Sequence, residues 1–303
     1  MKLLTKILDK NKHYHVGLSG GMDSISLTHY LFVNGYNIKA VHVDHSISDK
    51  SNEWSKFCEL FCKKLGVEFY SEKVNISDSN SNNLEDAART ARYKVFSSFG
   101  NIIVAHHVLD QQETFFLKLI RGAGPDGLRC MDFVSNMGEL TIYRPMLKCS
   151  KLDIEDYYIK NNLDWIEDPS NLNINFDRNF LRNEILPKLN NRFPSFFKSL
   201  SHSIDAQKES VELCSDLAQI DLHHVANDTC DVFDIIKLKS LSDSRIKNVL
   251  KFLSKSRGNY SISRGQLEDF IRVIRKLTPD KHASLFVNGL TFKQDKNNLM
   301  LKE

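Results

Sequence analysis

"VGLSGGMDSISLTHYL", residues 16–31, is the stretch on which the fold turns. A short apolar lead runs into Ser19, Gly20, Gly21, Met22, Asp23 and Ser24, and an apolar, helix-compatible run follows. The order is strand, tight turn, helix. Such a turn aims several backbone N–H groups at one spot, where the dipole of the helix adds positive potential. Glycine lets the backbone approach an anion closely, and Ser19 and Ser24 add hydroxyls. In physical terms this is a phosphate cradle. It lacks the lysine of G-x-x-x-x-G-K-[ST] and the G-x-G-x-x-G pattern of dinucleotide sites.

Outward from the turn, short apolar runs alternate with helical patterns. "HYHVGLS", "IKAVHVDH", "EFYSEKV" and "NIIVAHH" read as strands. A run of about twelve residues from Asp23, "SNEWSKFCELFCKKLG", "SNNLEDAARTARYKVFSSFG" and "LDQQETFFLKLIRG" read as helices. This predicts an α/β fold with a doubly wound, mostly parallel sheet. Ligands in such sheets bind beyond the C-terminal strand ends. The chemically unusual residues fall there: Ser19–Ser24, His42–His45 and His106–Asp110.

After Arg121 the alternation stops. "GAGPDGLRCM" reads as a loop, "TIYRPML" as a short strand, and "SKLDIEDYYIKNNL" as a helix with Ser150 as N-cap. A polar loop, "WIEDPSNLNINFDRN", leads into a helical extension over 178–193. The expected domains are 1–193 and a smaller, mainly helical one over 194–303. A closing hairpin is expected about Asn288-Gly289.

The 303 residues allow about two domains. No apolar run is long enough to span a membrane, and the N-terminal stretch is too polar for a signal peptide. Six scattered cysteines form no C-x-x-C and no disulfide framework. A reduced, cytoplasmic setting is expected. Net charge is +3, but eleven Lys/Arg against three acids fall between Lys237 and Lys276. That excess is a candidate nucleic-acid footprint, with a solvated basic helix face as the plain alternative.

The motifs are familiar in combination. "SGGMDS" after a strand resembles the PP-loop of the N-type ATP pyrophosphatase superfamily. "AVHVDHSI", "NNLEDAARTARYKVF", "AHHVLDQQETFFLKLIRGAGPDGL", "RPML", "WIEDPSN" and "RNFLRNEILPKL" follow in order. Together they are similar to the tRNA(Ile)-lysidine synthetase family over about the first 195 residues. The remainder resembles the family only in length, basic character and position, as a shorter form without an extra C-terminal domain. The resemblance implies ATP-dependent activation of the wobble cytidine in the CAU anticodon of minor isoleucine tRNA. Attack by free lysine then gives lysidine, AMP and pyrophosphate. It is also compatible with a homodimer.

Residue by residue, the resemblance makes Ser19–Ser24 the ATP phosphate loop, with Asp44 and His45 beside the nucleotide. Asp23 and Asp44 are hard oxygen donors suited to Mg²⁺. Asp110 and Glu113, i and i+3 on one helix face, look like the family's lysine-binding pair. Arg92 is the preferred phosphate contact, since the guanidinium fork suits phosphate. His106 is the leading histidine beside the adenylate and reacting base. Tetrahedral zinc on His42, His45, His106 and His107 has no cysteine pattern behind it. Two rival readings stand: tRNA 2-thiolation by the same superfamily, which needs reactive cysteines, and a non-catalytic RNA-binding module.

Overall fold

The computed structural model describes residues 1, 3–45, 51–75, 84–258, 262–279 and 282–302. Ser46, Ile47, Asn82 and Asn83, inside two of the motif stretches, lie outside the described residues. The chain divides into two compact units, Met1–Asp205 and Ala206–Glu303. The division therefore falls later than the expected 193/194 breakpoint. Pro194 precedes a long helix, Phe196–Val225, and the boundary lies within that helix.

The first unit is built on a six-stranded sheet of order β3-β2-β1-β4-β6-β5. Its strands are β1 (Tyr14–Gly17), β2 (Ile38–Asp44), β3 (Phe69–Lys73), β4 (Asn101–Ile103), β5 (Val134–Met137) and β6 (Leu140–Tyr143). All pairs are parallel except β5 with β6. The helices of this part are α1 (Met22–Val33), α2 (Ser51–Leu65), α3 (Leu84–Ser97) and α4 (Val108–Ile120). They are followed by α5 (Pro125–Leu128), α6 (Lys151–Lys160), α7 (Asp177–Phe180) and α8 (Leu186–Arg192). Strand alternation sends Val16, Ile38, Ala40 and Ile103 into one apolar layer. Val41, Ile102 and Ile142 enter another, as period-two side chains buried on both faces must.

Because β1 is central, with β2 on one side and β4 on the other, the strand order reverses there. That reversal opens a crevice at the C-terminal ends of β1 and β4. Ser19 follows β1 and His106 follows β4, so the crevice lies between the residues the sequence singled out.

"GAGPDGLRCM" is not wholly loop. Gly124 caps the short helix α5, with Pro125 in its first turn. Gln111 holds the following segment by donating to the Met131 carbonyl (2.7 Å) and accepting from its N–H (2.8 Å). The expected 178–193 extension is present as α7, a π-helical stretch Leu181–Ile185 and α8.

The second unit is mainly helical, as expected, and its closing hairpin is part of a larger sheet. After α9 (Phe196–Val225), the elements α10 (Ile235–Ser240), α11 (Asp243–Ser256) and α12 (Arg264–Lys276) accompany a four-stranded antiparallel sheet. Its order is β7-β10-β9-β8: β7 (Val232–Asp234), β8 (Ser284–Val287), β9 (Leu290–Asp295) and β10 (Asn298–Lys302). The expected hairpin is β8–β9, turned by Asn288 (φ 43°) and Gly289 (φ 82°), the positive pair that a two-residue turn requires. On α12, Leu267, Phe270, Ile271 and Ile274 form one apolar stripe, buried with Phe233, Phe292 and Leu299. Among the described residues no helix is long and apolar enough to cross a membrane.

Candidate active site

The turn between β1 and α1 is held by its own hydroxyls. Ser24 Oγ accepts from the Ser19 N–H (3.1 Å) and donates to the Gly21 carbonyl (3.0 Å). Ser19 Oγ accepts from the Gly21 N–H at 3.3 Å. The two glycines differ. Gly20 sits at φ +86°, where a Cβ would lie 3.2 Å from Cys58 Sγ and 3.4 Å from Ile166 Cδ1. Gly21 is the extended N-cap of α1 (φ −72°). Only Gly20 needs the left-handed region. Ile166 N–H donates to the Gly20 carbonyl (2.9 Å), which ties the turn to the "WIEDPSN" segment. Met22 packs against the apolar core, away from the crevice.

Around the turn lies a cleft of about 560 Å³. Ser19, Gly21, Asp23, Ser24, Asp44, His45, Arg92, His106 and Asp110 all line it. Elements distant in sequence thus bring together most of the residues expected there. Glu113 is behind the rim, with a fully buried side chain.

Asp110 and Glu113 are joined by two residues that the sequence reading left without a role. Arg178 Nε donates to Glu113 Oε2 (2.6 Å) and Arg178 Nη2 to Asp110 Oδ1 (3.2 Å). Arg182 Nε donates to Glu113 Oε1 (2.6 Å), and Arg182 Nη2 reaches Glu113 Oε2 (3.0 Å). Both arginines line the cleft. A signal was present in the sequence: arginines at i and i+4 in "RNFLRNEI" match carboxylates at i and i+3 in "DQQE". Nothing local said that the two helices meet.

Burial opposes the charge on Asp110. His107, His106 and Arg178 beside it, and the His107 N–H that donates to Oδ2 (2.8 Å), outweigh burial and hold the carboxyl well below its ordinary range. His107 is the N-cap of α4, accepting at Nδ1 from the Leu109 N–H (3.2 Å). Its Nε2 lies 3.5 Å from Asp23 Oδ2. Burial lowers its pKa, but Asp110 and Asp23 more than offset this and leave it raised. Burial, helped by Arg144, Arg178 and Arg89 and opposed by Asp110, drives His106 down to about 3, and burial with Arg92 drives His45 to about 4. Both rings are neutral at physiological pH, and Nδ1 of each is enclosed without a hydrogen-bond partner. Asp23 is lowered by His107 and Lys151 against the effect of burial.

With this geometry in place the chain can be set beside known proteins. Residues 1–189 match the family model described as a PP-loop domain. A curated tRNA(Ile)-lysidine synthase from Haemophilus ducreyi is 33% identical over 98% of this chain and 70% of its own length. The chain belongs to the tRNA(Ile)-lysidine synthase family. A Coxiella burnetii family member is 36% identical over 83% of this chain, and the match spans 57% of that protein. The chain thus spans less than two thirds of some curated relatives and somewhat more of others. Among solved structures, the U34-tRNA thiolase NcsA from Methanococcus maripaludis superposes with a TM-score of 0.53. At 17% identity, covering 67% of this chain and 74% of that one, it shares the fold.

Two of the six cysteines lie beside the turn or one helical turn away from it and bear on the thiolation reading. Cys58 and Cys62 are buried, and burial pushes both thiols up to about 12. A thiol held protonated is a poor nucleophile. Among the described residues no three His, Cys, Asp or Glu side chains are grouped to hold a metal.

The basic segment of the second unit sorts itself. All five of its arginines are in ion pairs: Arg245–Asp221, Arg257–Asp231, Arg264–Glu268, Arg272–Asp269 and Arg275–Asp243. Lys239 donates to the Leu277 carbonyl. Lys247, Lys251 and Lys255 make no hydrogen bond or ion pair among the described residues, and they recur every four residues along one side of α11.

Proposed function

We propose that the protein ligates lysine to the wobble cytidine of the CAU anticodon of minor isoleucine tRNA, at the expense of ATP. The observation that carries this reading is that the PP-loop and Asp110 share one cleft, so an activated base and an amine can meet there. In the first step the base carbonyl oxygen attacks the α-phosphorus of ATP, and pyrophosphate leaves. In the second the lysine ε-amine attacks the activated ring carbon, AMP leaves with the oxygen, and the amine gives up a proton.

Ser19, Gly21 and Ser24 cradle the phosphates, and Arg92 offers its guanidinium from α3. Asp23 and Asp44 fit a Mg²⁺ that takes most of its oxygens from phosphate and water; bound there, it would neutralise phosphate charge. Asp110, ionised at every physiological pH, takes an ammonium group of lysine. Glu113 completes the pair by fixing the two arginines beside it. His106, held neutral, lines the cleft with Asp110 and is the ring assigned to the side of the adenylate and the reacting base.

Lys247, Lys251 and Lys255 supply a row of positive charge for tRNA phosphates. The test is incubation with ATP, radiolabelled lysine and unmodified minor isoleucine tRNA, followed by nucleoside analysis. Label in a modified cytidine is expected. Label confined to free lysine overturns the reading.

A further inference from the structure

The PP-loop carries no lysine, yet a lysine stands beside it. Lys151 Nζ is 3.4 Å from Asp23 Oδ1, and Asp23 is in the first turn of the phosphate-loop helix. Lys151 is the first residue of α6, where the helix dipole disfavours a cation. That helix start is already satisfied without it. Ser150 Oγ accepts from the Asp153 N–H, and the Asp153 carboxylate accepts from the Ser150 N–H. The lysine thus adds nothing to its own helix, and its head remains partly accessible.

Its aim is fixed by packing. Tyr157, further along α6, bonds His29 Nδ1 (2.9 Å) and packs on Tyr30, both further along α1. The two helices therefore run side by side in the same direction, with their N-termini together. The start of α4 joins them, because the Val108 N–H donates to the Cys149 carbonyl at 3.2 Å. Three helix starts, Lys151 and His107 converge on one carboxylate, that of Asp23. It is the anion present where a stronger anion is expected.

We propose that Lys151 is a contact for the β- and γ-phosphates of ATP and for the departing pyrophosphate, supplied from α6 in place of the lysine the turn lacks. This rests on the reading of the cleft as an ATP site. In the free protein Asp23 holds the ammonium group. When polyphosphate enters, Lys151 transfers to it and leaves Asp23, a carboxylate that would suit a divalent cation bound with the nucleotide. AMP carries neither the β- nor the γ-phosphate, so Lys151 distinguishes ATP and pyrophosphate from AMP.

The experiment is calorimetric binding of ATP, AMP and inorganic pyrophosphate, each with magnesium, to the full chain and to Lys151→Met and Lys151→Arg. Lys151→Met should weaken ATP and pyrophosphate by about 10- to 100-fold, the range of one charge-assisted contact, and AMP by less than about threefold. Lys151→Arg should restore most of the loss. Equal weakening of ATP and AMP, or no weakening, overturns the proposal, because a purely structural lysine makes no distinction between them. Should the methionine variant melt early, Lys151→Gln carries the same comparison. Wild-type protein that binds none of the three would instead remove the ATP reading itself.

Discussion

Two buried carboxylates, one in each unit, are held by arginine and do different work. Glu113 and Asp221 are both fully buried. Asp221 receives Nε (3.0 Å) and Nη2 of Arg245, which clamps α9 to α11. Glu113 receives two arginines, and both reach past it to Asp110 and the cleft. The first cluster ends at the pair; the second continues to a surface that a ligand can touch. Burial and pairing alone therefore do not mark a site. What marks one is unspent bonding capacity facing a cavity.

The sharpest way to break this comparison is at the cradle. Gly20→Val should abolish measurable nucleotide binding, because the new side chain meets Cys58 and Ile166 in a backbone region that valine avoids. Gly21→Val should destabilise the turn far less, since its site is extended and Ser19 Oγ at 3.4 Å is ordinary contact, and should act on the nucleotide by filling the cradle. Equal losses of Tm in the two variants would cancel the distinction.

Next comes the carboxylate pair. Asp110→Asn should raise the Michaelis constant for lysine roughly 10- to 150-fold while sparing tRNA adenylation, the loss expected for one charged hydrogen bond of ~1.5–3 kcal/mol. Asp221→Asn should leave both steps unchanged and lower Tm by about 6–20 °C. If the second variant impairs catalysis, the contrast between the clusters fails.

The salt series is a finer test. Lys251→Glu or Lys255→Glu should weaken tRNA binding and reduce the slope of log affinity against log salt by about 0.9 per phosphate contact, the value for duplex DNA. Arg257→Glu should act instead through stability, because Arg257 already pairs with Asp231 (2.7 Å). Equal slopes for all three variants would return the lysine row to an ordinary solvated face.

The smallest effect concerns pH. His106 falls from 6.5 to about 3 on folding, so the unfolded chain binds the extra proton. Stability is then complete above about 6.5 and declines as pH falls from there towards 3. His107 is shifted the other way, so the useful quantity is a difference. His106→Asn should flatten the decline in Tm between pH 7 and 5 relative to wild type. Parallel curves would show that the ring is not held neutral.

The sequence carried the first unit well, for reasons that are local. Strand, glycine turn and helix are written in consecutive residues, and the crevice follows from strand order. Ser150 was legible as a cap, as was the Asn288-Gly289 hairpin. The role of Arg178 and Arg182 was not, because it depends on α7 meeting α4 across a loop without periodicity. The strand Val232–Asp234 is too short to show alternation, and "VSNM" in β5 is half polar. The basic segment looked uniform in sequence. Contacts with Asp221 and Asp231 outside it, and with Asp243, Glu268 and Asp269 within it, separate paired arginines from available lysines.

The bond from Ile166 to Gly20 has a mechanical consequence. The chain leaving that bond passes Asp168 and ends, at Arg178, on the carboxylates. One uninterrupted length of polypeptide is thus pinned at the phosphate-loop turn and again at the carboxylate pair. On the proposed reading it works as a tether between the two substrates' anchor points, and its covalent contour caps how far they can part.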